Sequence, residues 1–364
     1  MRKRQIGSMV ERDGKAVNAR AFSRGRRVAL AFALALAPLP ALAFSPEGLK
    51  PVELNAKPIR RFNALGNSIG ELTFLGGIDL RGRAPFASLS GLARTGTDRF
   101  VAVSDRGDWA RIELQRDASG RMEAASAWIG PIPVEVQGRL RDNGDVDAEA
   151  IALRGDGTAL VAFERRNRIT RFARDGRRLG AVPIVIPASE LRRNKGLETV
   201  AVAPASSPLK GAAITIAERS IDRAGDIFGA VLEGPKRGVF TVRRTDGFDV
   251  TDAAFLPSGD LVMLERSYRG RLSLRVRMRR IAGETIRPGA RLDGAVLMEA
   301  GLASEIDNLE GLTIHEDERG TILTVVSDDN NSFLQRTLLL EFRLEGEPAA
   351  ADVPVPAMRP LRGS

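Results

Sequence analysis

Ten acidic side chains stand where carboxylates could gather around a cation: Asp105, Glu149, Glu164, Glu198, Glu218, Glu265, Asp307, Glu310, Asp328 and Asp329. Most fall into a two-beat pattern. An acid precedes a short apolar run, a turn follows, and a second apolar run ends in another acid. The pairs are Glu149 with Glu164, Glu198 with Glu218, Asp252 with Glu265, and Glu310 with Asp328, while Asp105 is matched by Ser90. Crowded carboxylates cannot all ionise uncompensated, so they take up protons, bind cations or interleave with basic groups. Interleaving is visible: Arg106, Arg165, Arg219 and Arg266 each follow the second acid directly, and Lys195 precedes Gly196-Leu197-Glu198. These five are the candidate ligands for an anionic substrate group. The fifth unit carries Asp328-Asp329-Asn330-Asn331 instead, a run of oxygen donors that suits Ca²⁺. A cation there would polarise an ester and lower the pKa of an attacking water. The chain has no Cys and one His, His315, which excludes thiolate and multi-His metal sites. His315 is expected at the surface, in a turn facing away from the acids, which leaves a Ser-His-Asp triad without its base unless another group substitutes.

The acids are positioned by a repeat. Ser90, Glu149, Glu198, Asp252 and Glu310 recur every 49 to 59 residues, each followed by two apolar runs and then by outer-strand candidates. Repeats of this size, with about four short strands each, predict an all-β chain: a single β-propeller of five to six four-stranded blades. The inner runs are almost continuously apolar, as for strands covered on both faces. Outer strands are expected at Arg168–Phe172, Val182–Ile186 and Leu272–Met278, the last half-solvated because it alternates apolar and basic residues. The fifth unit supplies three strands ending at Thr337–Phe342. The N-terminal strand Glu71–Leu80 is expected to complete it, closing the ring without a free edge. A sixth blade would need residues 51–70. In such a ring the start of each innermost strand and the end of the second are neighbours, so all the acids converge at one mouth of the channel. A rim acid can also serve structurally, by accepting N–H groups of the next blade.

Charge is unevenly placed. Residues 1–43 hold nine Lys/Arg and two acids, leaving only +2 of the +9 net charge for residues 44–364, so a nucleic-acid partner is not expected. Residues 1–43 read as a signal peptide: a basic segment, an apolar run Val28–Leu39 and Ala41-Leu42-Ala43. Arg26-Arg27 before the run fits the twin-arginine route as well as the general secretory one. The expected product starts near Phe44, leaves through the export machinery and resides in the periplasm, with no permanent membrane span. Residues 44–346 form the propeller, and the Pro/Ala-rich 347–364 form a disordered tail.

Asp147-Ala148-Glu149-Ala150-Ile151-Ala152, Gly196-Leu197-Glu198-Thr199-Val200-Ala201, Ile306-Asp307-Asn308-Leu309-Glu310-Gly311-Leu312 and Val326-Ser327-Asp328-Asp329-Asn330 occur in this order. Together they resemble the exported bacterial phytase-like family ("esterase-like activity of phytase") over about residues 70–345. The resemblance implies a calcium-dependent, six-bladed propeller with a metal-rich rim that hydrolyses phosphate esters. The expected partner is a small anionic or ester substrate. Two other readings keep the same mouth: a non-catalytic envelope ligand-binding propeller, and a lactonase-type sugar hydrolase.

Overall fold

The computed structural model describes residues 43–82, 85–133, 146–270 and 273–346, with the backbone of the short pair Glu135–Val136 and Arg139–Leu140. The leader and the Pro/Ala-rich tail lie outside the described residues. Among the described residues no helix is long and apolar enough to cross a membrane.

Five antiparallel blades form the ring. Their innermost strands are Leu89–Gly96, Ala148–Leu153, Leu197–Val202, Asp249–Phe255 and Asn308–Asp317, in blades 1 to 5. Each pairs with a second strand: Arg99–Ser104, Ala159–Phe163, Ala213–Ile221, Leu261–Ser267 and Gly320–Asp328. The middle of each second strand is largely apolar because its two faces feed two different cores. Val161 and Phe163 enter the core between blades 1 and 2, while Leu160 and Ala162 enter that between blades 2 and 3. Val262 and Leu264 join blade 5 residues, and their neighbours Leu261 and Met263 join blade 3 residues. The fifth core, with Val326 and Leu339 against Leu89 and Phe100, closes the circle. The hydrophobic interior is therefore a ring of five inter-blade cores, and the closing one joins residues from the two ends of the repeat.

Closure is as expected. Thr337–Leu344 pairs antiparallel with Leu72–Gly82, matching Leu339 with Ile78. Of the five to six blades expected, the described residues form five. Lys50–Val52 edges blade 1, and Leu54–Ile59 edges blade 5. Small residues on the innermost strands let five of them crowd one axis: a Cβ on Gly91 would lie 2.6 Å from the Ala150 backbone, and one on Gly311 would lie 2.3 Å from the Ser90 carbonyl. The six blades implied by the family resemblance are corrected to five.

Two outer strands differ from expectation. Blade 2 ends on Arg178–Val182, because the Asp175-Gly176 turn returns the chain at once and Pro183 has no N–H to extend the ladder. In blade 4 the strand Arg275–Ile281 is not half-solvated: Arg277 and Arg279 are buried, 2% and 1% exposed. Their counter-charge is Glu265.

Candidate functional site

One irregularity builds the site. In every blade the innermost strand carries one extra residue opposite its partner, a β-bulge, near the start of the strand. In blades 2 to 5 the residue pairs flanking it identify the extra residue as Glu149, Glu198, Thr251 and Glu310, and in blade 1 Ser90 and Gly91 together stand opposite Val103. The residue before each bulge pairs with Ser104, Phe163, Ala217, Glu265 or Ser327, and the residues that follow these partners are Asp105, Glu164, Glu218, Arg266 and Asp328. The bulge thus aligns two rings around one mouth. Blade 4 departs from both: a threonine and an arginine stand where the other blades carry mostly acids.

This corrects the repeat alignment, in which Asp252 and Glu265 represent blade 4. Because side chains alternate along a strand, a one-residue offset turns a group to the other face. Asp252 accepts the N–H of Leu312 in blade 5 and that of Ala253, both at 2.8 Å, and latches two blades. Glu265, predicted as a metal ligand, is 1% exposed. Its Oε2 accepts Arg277 Nε at 2.9 Å and Arg279 Nε at 2.8 Å, and its Oε1 accepts Arg279 Nη2 at 2.6 Å. The signal for the true register was present: Ala148-Glu149, Leu197-Glu198, Leu309-Glu310 and Val250-Thr251 share an apolar residue before the bulge. The Glu265-Arg266 dipeptide mimics Glu164-Arg165 and Glu218-Arg219, which hides it.

A cavity of about 270 Å³ lies at the mouth, lined by Asp105, Glu149, Glu164, Glu198, Glu218, Glu310 and Asp328, with Asp147 beside them. Seven of the ten predicted ligands therefore come together. Asp307 and Asp329 do not line it. Asp307 accepts the N–H of Arg336 at 3.0 Å and holds the loop after blade 5's second strand. Asp329 accepts the N–H of Ser88 at 3.0 Å and the Thr337 hydroxyl at 2.9 Å, fastening blade 5 to blade 1.

The basic residues divide similarly. Lys195 has a left-handed backbone (φ 72°), which turns its N–H toward Glu164 while its Nζ meets both Glu218 oxygens at 2.8 Å. Arg266 bonds Glu310 and Asn308 and lies 3.4 Å from Glu218. Arg165 pairs with Asp147 at 2.5 Å. Arg219 lies 3.7 Å from Asp249, outside the acid pit but in the adjoining groove. Arg106 is exposed and does not line the pit. Asn194, Asn308, Asn330 and Asp147 complete the surroundings of the mouth, and of these the acid pattern alone did not single out Asn194 and Asn308.

Charge in the pit is under-compensated, and the carboxyls respond. Burial, then Asp147, raises Asp105 to about 6. Burial, then Glu310, raises Asp328 to about 8. Glu149 and Glu198 are pushed well above the usual range, first by burial, then by Asp147 for Glu149 and by Glu149 for Glu198. Glu149 keeps partial exposure to the channel, but protein crowds it on the remaining sides. Burial also raises Glu164, against the N–H groups of Gly196 and Lys195, and Glu310, against Arg266. A cation would relieve this repulsion. Two triads offer one oxygen each with all oxygens within 4.8 Å of one another: Asp147, Glu149 and Glu164, and Glu164, Glu198 and Glu218. Asp105 Oδ1 is buried without a hydrogen-bond partner. An all-oxygen donor set of this kind fits a hard cation such as Ca²⁺.

His315 lies near the end of the innermost strand of blade 5, facing the opposite end of the channel beside Arg94, Leu153 and Phe255. It faces away from the acids as expected, but it is half-buried in the strand rather than at the surface in a turn, with its side chain 9% exposed and Nε2 3.3 Å from Asp317. Burial and Arg94 lower its pKa.

No curated protein matches the sequence. Among solved structures, the allergen Mala s 1 of Malassezia sympodialis is similar at 11% identity and TM-score 0.39, over 79% of this chain and 96% of that one. The PQQ-bound aldose sugar dehydrogenase of Streptomyces coelicolor is similar at 15% and 0.38, over 80% and 99%. Virginiamycin B lyase of Staphylococcus aureus is similar at 8% and 0.36, over 80% and 100%. At TM-scores below 0.5 these likenesses carry no argument about chemistry. The family model described as phytase-like, esterase-like activity of phytase, matches residues 84–331, which include both rings of the mouth, and the chain belongs to that family.

Proposed function

We propose that this protein is a calcium-dependent hydrolase of phosphate esters or related esters, acting at the acid-lined mouth of the channel in the periplasm. One observation carries the reading: eight carboxylates, the seven above and Asp147, line one small pit with too few cations to neutralise them, and one of their buried oxygens has no partner. Glu164 with Glu198 and Glu218, or with Asp147 and Glu149, would hold the ion. When bound, such an ion supplies Lewis acidity to an ester oxygen and to an attacking water.

The chain's own residues prepare the site. The N–H groups of Lys195 and Gly196 both engage Glu164 Oε1, leaving Oε2 toward the pit. Lys195 Nζ fixes Glu218, and Arg266 with Asn308 fixes Glu310. Arg266 is thus committed to carboxylates and acts as a resident cation rather than a ligand for the substrate. The anionic group is met by Arg219, Arg244 and Arg269 along the groove that leaves the pit.

The test uses residues 44–364 against phosphomonoesters, phosphodiesters, carboxylic esters and lactones, with calcium added or chelated, together with elemental analysis. Bound calcium and ester turnover that chelation and Glu198→Gln abolish are expected. No turnover and no bound metal would overturn the reading. Tight calcium binding without turnover indicates the envelope ligand-binding propeller, and turnover confined to lactones indicates the lactonase-type enzyme.

A further inference from the structure

We propose that the groove beside the acid pit holds the apolar part of the substrate, so that the ester cleaved is a phosphate monoester of an alkyl or aryl alcohol. The inference rests on the hydrolase reading above and narrows its substrate class. A groove of about 1140 Å³ opens from the pit and shares Lys195, Glu218, Arg266, Glu310 and Asn330 with it. That volume exceeds what a phosphate group needs and suits a small organic molecule.

The walls differ in chemistry. Tyr268, Leu302 and Leu334 face the groove with 61%, 49% and 53% exposure. They are three of the seven exposed large apolar side chains among the described residues, and Leu274 and Ile306 line the same groove. Leu334 is presented by a pinned loop. Asp307 accepts from Arg336 N at 3.0 Å and Gln335 Nε2 at 3.4 Å, and Ser332 N donates to the Asp329 carbonyl at 2.7 Å. The other wall is cationic. Arg219 and Arg244 share Asp249, at 3.7 and 2.7 Å, and Arg269 donates to the Asp246 carbonyl at 3.3 Å.

An anionic head near the pit and an apolar body along Tyr268, Leu302 and Leu334 would use both walls. A compact polyanion such as inositol hexakisphosphate would meet the arginines and leave the apolar wall in water. In the reaction a water oxygen bonds to phosphorus and the ester P–O bond breaks. The alcohol departs carrying one proton of that water, and inorganic phosphate retains the other.

The test is a homologous series, ethyl to octyl phosphate, hydrolysed by the calcium-loaded protein, with calorimetric binding of the same compounds and of inorganic phosphate. A buried methylene strengthens transition-state binding about three- to fourfold, so kcat/KM is expected to rise by about that factor per carbon until the groove is filled. In Leu302→Asn and Leu334→Asn the octyl-to-ethyl ratio falls toward one. Hydrolysis with a flat series, or with inositol hexakisphosphate preferred over octyl phosphate, overturns the groove assignment and leaves the hydrolase reading intact. Chain-length-dependent binding without hydrolysis overturns the substrate assignment, and the hydrolase reading falls with it only when the full ester panel also shows no turnover. Neither binding nor hydrolysis also overturns the substrate assignment.

Discussion

Replacing Asp328 by Asn isolates the cost of keeping the pit charged. Asp328 is 6% exposed, and its carboxyl moves from an ordinary 3.8 to about 8 on folding, through burial first and Glu310 second. A raised folded-state pKa favours folding fully below pH 3.8, and that contribution is lost as pH rises through about 8. Each pH unit between the two values costs about 1.4 kcal/mol. At pH 7 the metal-free protein therefore carries at most about 4 kcal/mol against folding from this carboxyl alone. For a chain of this size that is a Tm difference of roughly 5–10 °C. The assay is thermal unfolding of residues 44–364, wild type and Asp328→Asn, in chelator and in calcium, at pH 5 and pH 8. In chelator the variant should melt higher than wild type at pH 8 and much closer to it at pH 5. In calcium the order should reverse at pH 8, because the bound ion uses the charge that was costly without it. The reasoning is refuted if wild type and variant melt together in chelator at both pH values.

Glu265→Gln should destabilise by about 3–5 kcal/mol, because Arg277 and Arg279 would stay buried around a neutral group. Its calcium affinity should match wild type in titration calorimetry, whereas Glu198→Gln should bind calcium at least tenfold more weakly with little loss of Tm. Arg266→Met removes the resident cation from Glu310 and Glu218 and should tighten calcium binding by about tenfold, read by the same titration. A fragment limited to residues 84–331 should fail to give a cooperative melt, because it lacks both Leu72–Gly82 and Thr337–Leu344, the strands that close blade 5. Leu340→Ala in the core between blades 4 and 5 should cost about 2–5 kcal/mol in denaturant unfolding.

The repeat was legible in the linear chain because each blade is a local meander with its own turns, and apolar runs show directly as strands buried on two faces. Closure by Glu71–Leu80 could be reasoned from a three-stranded last unit that needed a fourth strand. The convergence of Glu149, Glu164, Glu198, Glu218, Glu310, Asp105 and Asp328 on one mouth also followed, since it depends only on where strands begin and end. The number of blades did not follow from the family pattern. Gly91 and Gly311 let neighbouring innermost strands approach closely, in contacts between residues far apart in sequence. Blade 4 was decided by the tertiary structure as well. An acid followed by an arginine reads the same in three blades, but the bulge register sends Glu164 and Glu218 into the pit and Glu265 out of it. The alternating strand Arg275–Ile281 looked half-solvated only because the acid that buries its arginines lies on the neighbouring strand. Composition and spacing thus determined which residues could gather. The side to which each one turned depended on one extra residue per blade, and only the paired strands reveal it.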